Sequence, residues 1–298
     1  VNEADFLRRL RTLPLHPGAA GLADDVAVIR GLVVTLDTLV EGVHFLAQDP
    51  AGDVAWKLLA VNLSDLAAKG ASPEGVMLSY PLGDDGWDAA FLDGLAAALH
   101  AFHCPLIGGD TVSIAAGMPR ILSLTAIGTG EAVPRRTGAK AGDRLWVTGT
   151  IGDAGAGLAI ARGAPGPAAL LARYRRPVPR LAEGRVLAPH VSAMMDVSDG
   201  LLIDAARLAA ASGLAASIDL ARVPLSPALV EWGGEAMAAA TAGDDYELLF
   251  TAPAGFEPPV PATCIGEMLA GEGLSLTYRG EPRPLPETLG WQHDARLR

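Results

Sequence analysis

Cysteine, aromatic residues, basic charge and long apolar runs are all scarce in this chain, and each shortage argues against a class of protein. The 298 residues include two cysteines, Cys104 and Cys264, far apart and with no second Cys or His at metal-ligand spacing. They read as two small core residues, so neither a zinc site nor a disulfide framework is expected, and the usage fits a reducing compartment. Lys and Arg total 23 against 34 Asp and Glu, a net charge of −11. That balance disfavours nucleic acid or an anionic membrane surface as a partner, because either needs a cationic face. No stretch reaches the roughly 18 consecutive apolar residues of a membrane-spanning helix. The segment Val1-Asn2-Glu3-Ala4-Asp5 has no basic region followed by an apolar one, so the expected location is the cytoplasm. Aromatics are only 5 % of a chain that is 50 % apolar. Ala and Gly dominate, which suits a globular protein with helix-rich outer layers, long enough for two domains of about 150 residues each.

What is present is a repeated grammar of carboxylates placed at the ends of apolar runs. The run Leu32 to Leu36 delivers Asp37, and Thr38 to Phe45 then supplies Gly42 and His44. Asp24-Asp25 leads into Val26 to Ile29, Gly108-Gly109-Asp110 closes Pro105 to Ile107, Asp196-Val197-Ser198-Asp199-Gly200 follows Ser192 to Met195, and Gly243-Asp244-Asp245-Tyr246 precedes Glu247 to Thr251. Apolar β-branched runs bounded by such residues are strand signals. Between them lie a helix over Ala4 to Leu13, a hairpin of 26–29 with 32–37 across Arg30-Gly31, and a helix over Asp53 to Lys69 capped by Asp53 and stopped by Gly70. Strands follow at Val76 to Leu82, Ile121 to Gly128 and Arg144 to Thr148, with a helix over Asp88 to Phe102 and another over Leu201 to Ser212. Ala132 to Gly142, with Pro, Gly and three basic residues, reads as an interdomain connection, and the Pro-rich tail from Gly280 as a surface segment that folds back.

On the 53–69 helix, Leu58, Asn62, Asp65 and Lys69 share one stripe. The plain alternative for Asp65 is a surface pair with Lys69. Asp199 or Ser198 is equally a candidate helix cap, and Asp24, Asp110 and Asp244 are candidate turn residues. Val147 to Gly157 has the strand, Gly-rich turn and helix start that can present amides to phosphate. It lacks the signatures of a P-loop or a dinucleotide fold, and a plain tight turn explains it as well. Taken together the aspartates say more, because two carboxylates about 4 Å apart repel by roughly 4 kcal/mol at an effective dielectric of 20, and converging several requires cations between them. Mg²⁺ fits best: it takes one or two protein carboxylates and completes its shell with water and phosphate oxygens, so many Asp residues imply several ions and a polyphosphate. His44 adjoins an acidic strand end; His16, His100, His103, His190 and His293 do not.

The blocks Leu36 to Phe45, Leu59 to Ala68, Ile107 to Thr111, Arg136 to Lys140, Asp196 to Leu201 and Gly243 to Leu248 occur in an order that resembles the thiamine-monophosphate kinases, relatives of aminoimidazole ribonucleotide synthetase and selenophosphate synthetase. The resemblance runs from about residue 3 to 293. It implies an α/β fold (α+β type) of two domains, residues 1–138 for ATP and Mg²⁺ binding and dimerisation through paired sheets, and residues 139–298 as a C-terminal α/β domain. It implies transfer of the ATP γ-phosphoryl group to thiamine monophosphate, giving thiamine diphosphate and ADP, in a homodimer. The metal ligands it implies are Asp25, Thr35, Asp37, Asp65, Asp110, Asp196 and Asp199, with Asp37, Asp65, Asp110 and Asp199 carrying the catalysis. Gly109, Asp110, Arg136 and Ser198 would contact ATP. His44, Asp244 and Trp291 would hold thiamine monophosphate, Trp291 by stacking on the cationic thiazolium.

Departures from the family pattern are Ala23 for a glycine, Leu36 for a common Thr, Asp244 for a frequent Glu and Lys69 for a common Met. None removes a carboxylate. A phosphate monoester is largely dianionic at neutral pH, so no general base is needed and His44 is read as a positioning residue. Among rivals, selenophosphate synthetase would show a reactive Cys near the N-terminal Gly-rich region, and aminoimidazole ribonucleotide synthetase would not carry the His44 and Asn62 to Ala68 blocks in this form. A non-catalytic nucleotide or thiamine-diphosphate sensor would have no need of intact Asp65, Asp110 and Asp199.

Overall fold

The computed structural model describes residues 3–115 and 117–292; Val1, Asn2 and His293 of the readings above lie outside them. Helix α1 (Glu3–Leu10) precedes a hairpin of β1 (Ala27–Ile29) and β2 (Leu32–Val40). The turn residues Arg30 and Gly31 have φ of 52° and 83°, the left-handed pair that matches the twist of the flanking strands. Then come α2 (Ala51–Ala68), β3 (Ser72–Leu82), α3 (Asp85–Ala101), β4 (Leu106–Ser113) and β5 (Ile121–Thr129). These strands form one sheet in the order β1-β2-β5-β3-β4, antiparallel except for the β3–β4 pair.

Residues alternate across that sheet as the pleat requires. Val33, Thr35 and Leu39 of β2 and Leu122, Leu124 and Ala126 of β5 are buried on the face that α2 and α3 cover. The opposite face is open, with Leu36 61 %, Ile107 55 %, Ile121 54 % and Val112 53 % exposed. A connection free of helix and strand over 130–143 leads to the second half.

That half contains β6 (Arg144–Thr148), α4 (Asp153–Ala161), α5 (Ala168–Arg175), α6 (Leu181–Leu187), β7 (Ala193–Asp196), α7 (Leu201–Ala211), β8 (Ala215–Asp219), α8 (Pro227–Trp232), α9 (Ala236–Thr241), β9 (Leu248–Ala252), β10 (Ala262–Leu269), β11 (Gly273–Tyr278) and β12 (Glu281–Arg283). Its sheet runs β12-β11-β8-β10-β6-β9-β7, with β8 and β11 parallel and the other pairs antiparallel. The architecture is thus the expected mixed α/β arrangement with two open sheets.

Helix α2 joins the halves. It is apolar on nearly all sides, and its last turn, Ala67 and Ala68, packs with Leu187, Met194, Leu248 and Phe250 of the second half. Two details differ from the sequence expectation. The helix starts at Ala51 with Pro50 at the cap position, because Asp53 is not a cap: it sits in the first turn and pairs with Arg176 at 2.5 Å. The tail beyond Gly280 contributes β12 and then folds back, as expected, to set the Trp291 amide 2.8 Å from the Asp199 carbonyl.

Candidate active site

Three α2 side chains and that of Lys69, its C-cap residue, reach out to the strand ends. Asn62 accepts the Asp37 amide at 3.0 Å while its own NH₂ is held by the Leu58 carbonyl. Asp65 Oδ2 lies 2.5 Å from the Thr35 hydroxyl, and the Ser64 hydroxyl donates to Asp196 Oδ2 at 2.6 Å. Lys69, fully buried, meets Asp24 at 2.6 Å and Asp25 at 2.5 Å. The alternative pairing of Asp65 with Lys69 is therefore not made. The helix periodicity that set 62 and 65 on one stripe carries both toward β2.

The consequence is a convergence of charge. Carboxylate oxygens of Asp25, Asp65 and Asp196 lie within 4.8 Å of one another. Burial pushes the Asp196 carboxyl up to about 8, helped by Asp25, against the pull of Ser64. Asp37 is raised to about 6 by burial and then by Asp25 and Asp199. Asp65 stands well above the usual carboxylate range because it is buried and faces Asp37, Asp196 and Asp25. Asp25 goes the other way. Burial opposes its charge, but Lys69 and Arg136 outweigh burial and hold it low. Carboxyls that cannot ionise together without a cation are the electrostatic signature of a cation site. The donor set of several carboxylates and one hydroxyl suits a hard ion that keeps water and phosphate oxygens in its shell.

Next to this cluster the loop 197–200 turns around Asp204, whose Oδ2 accepts the amides of Ser198, Asp199 and Gly200 at 3.0–3.2 Å. Neither Ser198 nor Asp199 caps α7; Asp204 serves that loop from inside the helix, and Arg207 pairs with Asp199 at 2.5 Å and with Asp204 at 2.9 Å. Gly243 packs directly on this loop, and the Asp244 amide donates to the Ser198 carbonyl at 2.8 Å. Asp244 is held from two sides, by Lys57 Nζ at 2.7 Å and by the Tyr246 hydroxyl at 2.9 Å. The same Nζ donates to the His44 carbonyl at 3.0 Å, and His44 Nδ1 accepts the Val40 amide. His44, Asp244 and the Asp199–Trp291 contact thus flank one loop. Asp244 and Tyr246 carry φ of 69° and 51°, a backbone conformation costly to non-glycine residues that clusters at functional sites.

Matches to known proteins cover most of the chain. Residues 23–130 fit the family model described as AIR synthase related protein, N-terminal domain, and residues 140–279 fit its C-terminal counterpart. The thiamine-monophosphate kinase of Caulobacter vibrioides is 41 % identical over 98 % of this chain and 90 % of its own length, and that of Escherichia coli K12 is 39 % identical over 91 % and 90 %. The chain belongs to the thiamine-monophosphate kinase family. A ThiL structure solved as a complex with AMPPCP and TMP superposes with a TM-score of 0.86 at 30 % identity, covering 98 % of this chain and 97 % of that one. The hydrogenase maturation protein HypE of E. coli, 22 % identical with a TM-score of 0.69 over 88 % of this chain and 87 % of its own, shares the fold.

Placed on this thiamine-monophosphate kinase fold, the sequence-derived residues divide. Asp25, Thr35, Asp37, Asp65, Asp196 and Asp199 come together, Arg136 reaches them through Asp25, and Ser198 lies on the adjoining loop. Asp110 does not join them within one chain, contrary to the expectation of a single pocket. It is exposed on edge strand β4, in register with Ser79 of β3, which pairs with Ser123 of β5 and through it with Thr38 of β2. Three strand spacings of about 4.8 Å separate it from Thr38, and the pleat puts it on the open face, away from Asp37. Gly109 is required for packing: a Cβ there would meet the Leu78 carbonyl at 2.0 Å. The Gly-rich turn after β6 proves to be a tight turn, since the Gly152 amide is taken by the buried Asp245 carboxylate at 2.8 Å.

Residues that sequence reasoning passed over are Lys57, Ser64, Asp204, Arg207 and Tyr246. Only Lys57 and Ser64 carried a local signal, as polar residues on the otherwise apolar α2. The partners of the other three are set by folding.

Proposed function

We propose that this chain is an ATP-dependent kinase that transfers the γ-phosphoryl group, in line, to the phosphate of thiamine monophosphate, giving thiamine diphosphate and ADP with Mg²⁺. The observation that carries the reading is the convergence of Asp25, Asp65 and Asp196 oxygens within 4.8 Å, from three distant segments of a thiamine-monophosphate kinase family chain. Asp25, Asp37, Asp65 and Asp196 would hold the ions, with Thr35 and Asp199 beside them. When bound, Mg²⁺ neutralises phosphate oxygens and the charge that develops in transfer.

The chain's own contribution is position. Asn62 fixes the Asp37 main chain, Ser64 fixes Asp196, and Asp204 fixes the amides of 198–200. Arg136, three-quarters buried and paired with Asp25, is placed to share its guanidinium with a phosphate. The acceptor phosphate is dianionic at neutral pH and needs no base, consistent with His44 engaging its ring in a main-chain contact. The Asp244 carboxylate, His44 and Trp291 line the acceptor side.

The chain is further read as a homodimer whose N-terminal half, residues 1–138, pairs through the open face of its sheet, because Leu36, Ile107, Val112 and Ile121 stand exposed there, and clustered exposed apolar side chains mark contact surfaces. Asp110 and Gly109 then lie at the seam, where a partner chain can bring Asp110 to nucleotide. Purified protein supplied with ATP, Mg²⁺ and thiamine monophosphate is expected to form thiamine diphosphate and ADP in equal amounts. ADP without thiamine diphosphate would move the assignment to another enzyme of the superfamily, and neither product would favour the sensor.

A further inference from the structure

The last side chain of the α2 stripe is a lysine where the site's chemistry calls for metal. Lys69 has no exposed surface, and its ammonium has three neighbours: Asp24 Oδ1 at 2.6 Å, Asp25 Oδ2 at 2.5 Å and the Met194 carbonyl at 3.0 Å. The carbonyl accepts a hydrogen bond, and the two carboxylates stand at ion-pair distance. Asp25 is also one of the three carboxylates whose oxygens converge, and Met194 lies two residues before another, Asp196. A fixed positive charge is therefore built into the edge of the acidic cluster, on the side of Asp25 remote from solvent. Of the carboxylates at this end of the site, Asp24 and Asp25 touch the ammonium, Arg136 also pairs with Asp25, and Asp37, Asp65 and Asp196 lie beyond Asp25.

We propose that Lys69 is a resident counter-ion of the metal site: it holds Asp24 and Asp25 in place without metal and reduces the positive charge that bound ions must bring, thereby setting how tightly and in what number Mg²⁺ binds. The inference rests on the metal site of the functional reading. A lysine ammonium is a compact point charge, able to stand beside two carboxylates as a small ion does. It differs from an ion in never leaving, so the segment 24–25 is ordered before any metal arrives. Removing it leaves the cluster one unit more negative and hands Asp25 entirely to Arg136 and to incoming cations.

The test is Mg²⁺ binding by calorimetry, with thermal unfolding in EDTA and in Mg²⁺, on full-length protein without nucleotide. Lys69→Met is expected to melt lower than wild type in EDTA, to show a larger Mg²⁺-induced rise, and to bind Mg²⁺ about ten-fold more tightly or with one further ion per chain. Asp24→Asn keeps the lysine and removes one of its partners, so the ammonium acts more fully on Asp25; Mg²⁺ affinity is expected to fall several-fold. This second variant tests the proposal if Lys69→Met does not fold. Mg²⁺ affinity and stoichiometry unchanged in both variants, or weaker binding in Lys69→Met, would overturn it. Wild-type protein that takes up no Mg²⁺ at millimolar concentration overturns the functional reading, and this proposal with it.

Discussion

Around Asp37, Asp65 and Asp196 the chain brings carboxyls together with too few cations, and burial with mutual repulsion lifts their pKa values. At Asp244, on the other side of the 198–199 loop, a carboxylate is gripped by Lys57 and Tyr246, and Lys57 is itself braced over the Tyr174 ring at 4.2 Å. Both regions are lined by α2 and by the strand ends it touches. They differ in whether the fold supplies the counter-charge. A region left short of cations awaits something positive; one that is already matched holds its shape and selects. In the proposed function the first takes metal and phosphate and the second the acceptor.

The sharpest way to break this contrast is to remove a carboxylate from the deficient side. Asp65→Asn is expected to lower kcat by a factor on the order of 10² to 10³, the scale of losing one preorganised electrostatic group. The same change relieves repulsion, so urea unfolding in EDTA should show a protein at least as stable as wild type. Loss of stability with activity retained would reverse the assignment. Asp110→Asn separates the chain's own cluster from what a second copy adds. Being exposed, it should shift stability by no more than about 0.5 kcal/mol, while turnover falls by about 10²-fold; an unchanged rate would take Asp110 out of the site.

On the matched side, Lys57→Met leaves Asp244 with one partner. The KM for thiamine monophosphate should rise about ten-fold, the scale of a lost charged hydrogen bond, with Mg²⁺ affinity little altered. Equal effects on both would merge the two regions into one.

The pH dependence of metal-free protein sharpens the comparison further. Asp37 and Asp196 have folded-state values of about 6 and about 8 against an ordinary 3.8, so over that interval the native state holds more protons than the unfolded chain. Stability is then full below about pH 4 and declines as pH rises toward 8, the slope being set by the excess of bound protons in the native state. Melting in EDTA should fall from pH 5 to pH 8.5, and saturating Mg²⁺ should flatten the trend. The smallest effect is expected from Trp291→Ala, whose ring is half-exposed. Loss of a cation–π contact of about 0.5–1 kcal/mol raises KM for thiamine monophosphate two- to five-fold and leaves the KM for ATP alone.

Much of this was legible before folding. The alternation of β2 and the apolar α2 stripe announced their elements, and the position of Asn62 and Asp65 three residues apart put both on the β2 side. Strand β4 was only half visible, because Gly108-Gly109-Asp110 has no alternation and is held as a strand by parallel pairing with β3. Asp53 and Asp199 looked like caps and are ion-pair partners, of Arg176 and Arg207, across 123 and 8 residues.

The sequence by itself marked most elements of the N-terminal half and several of the second, and it showed carboxylates beside a number of apolar runs, since periodicity and turn chemistry are properties of neighbouring residues. Only the tertiary structure decided which of those carboxylates stay short of a counter-charge. Lys69 went to Asp24 and Asp25, Lys57 to Asp244, Asp245 to the Gly152 amide and Asp110 to the open face. Those partners come from segments up to 187 residues apart, and a charge's partner is fixed by what packing brings within a few ångströms, which no local pattern encodes.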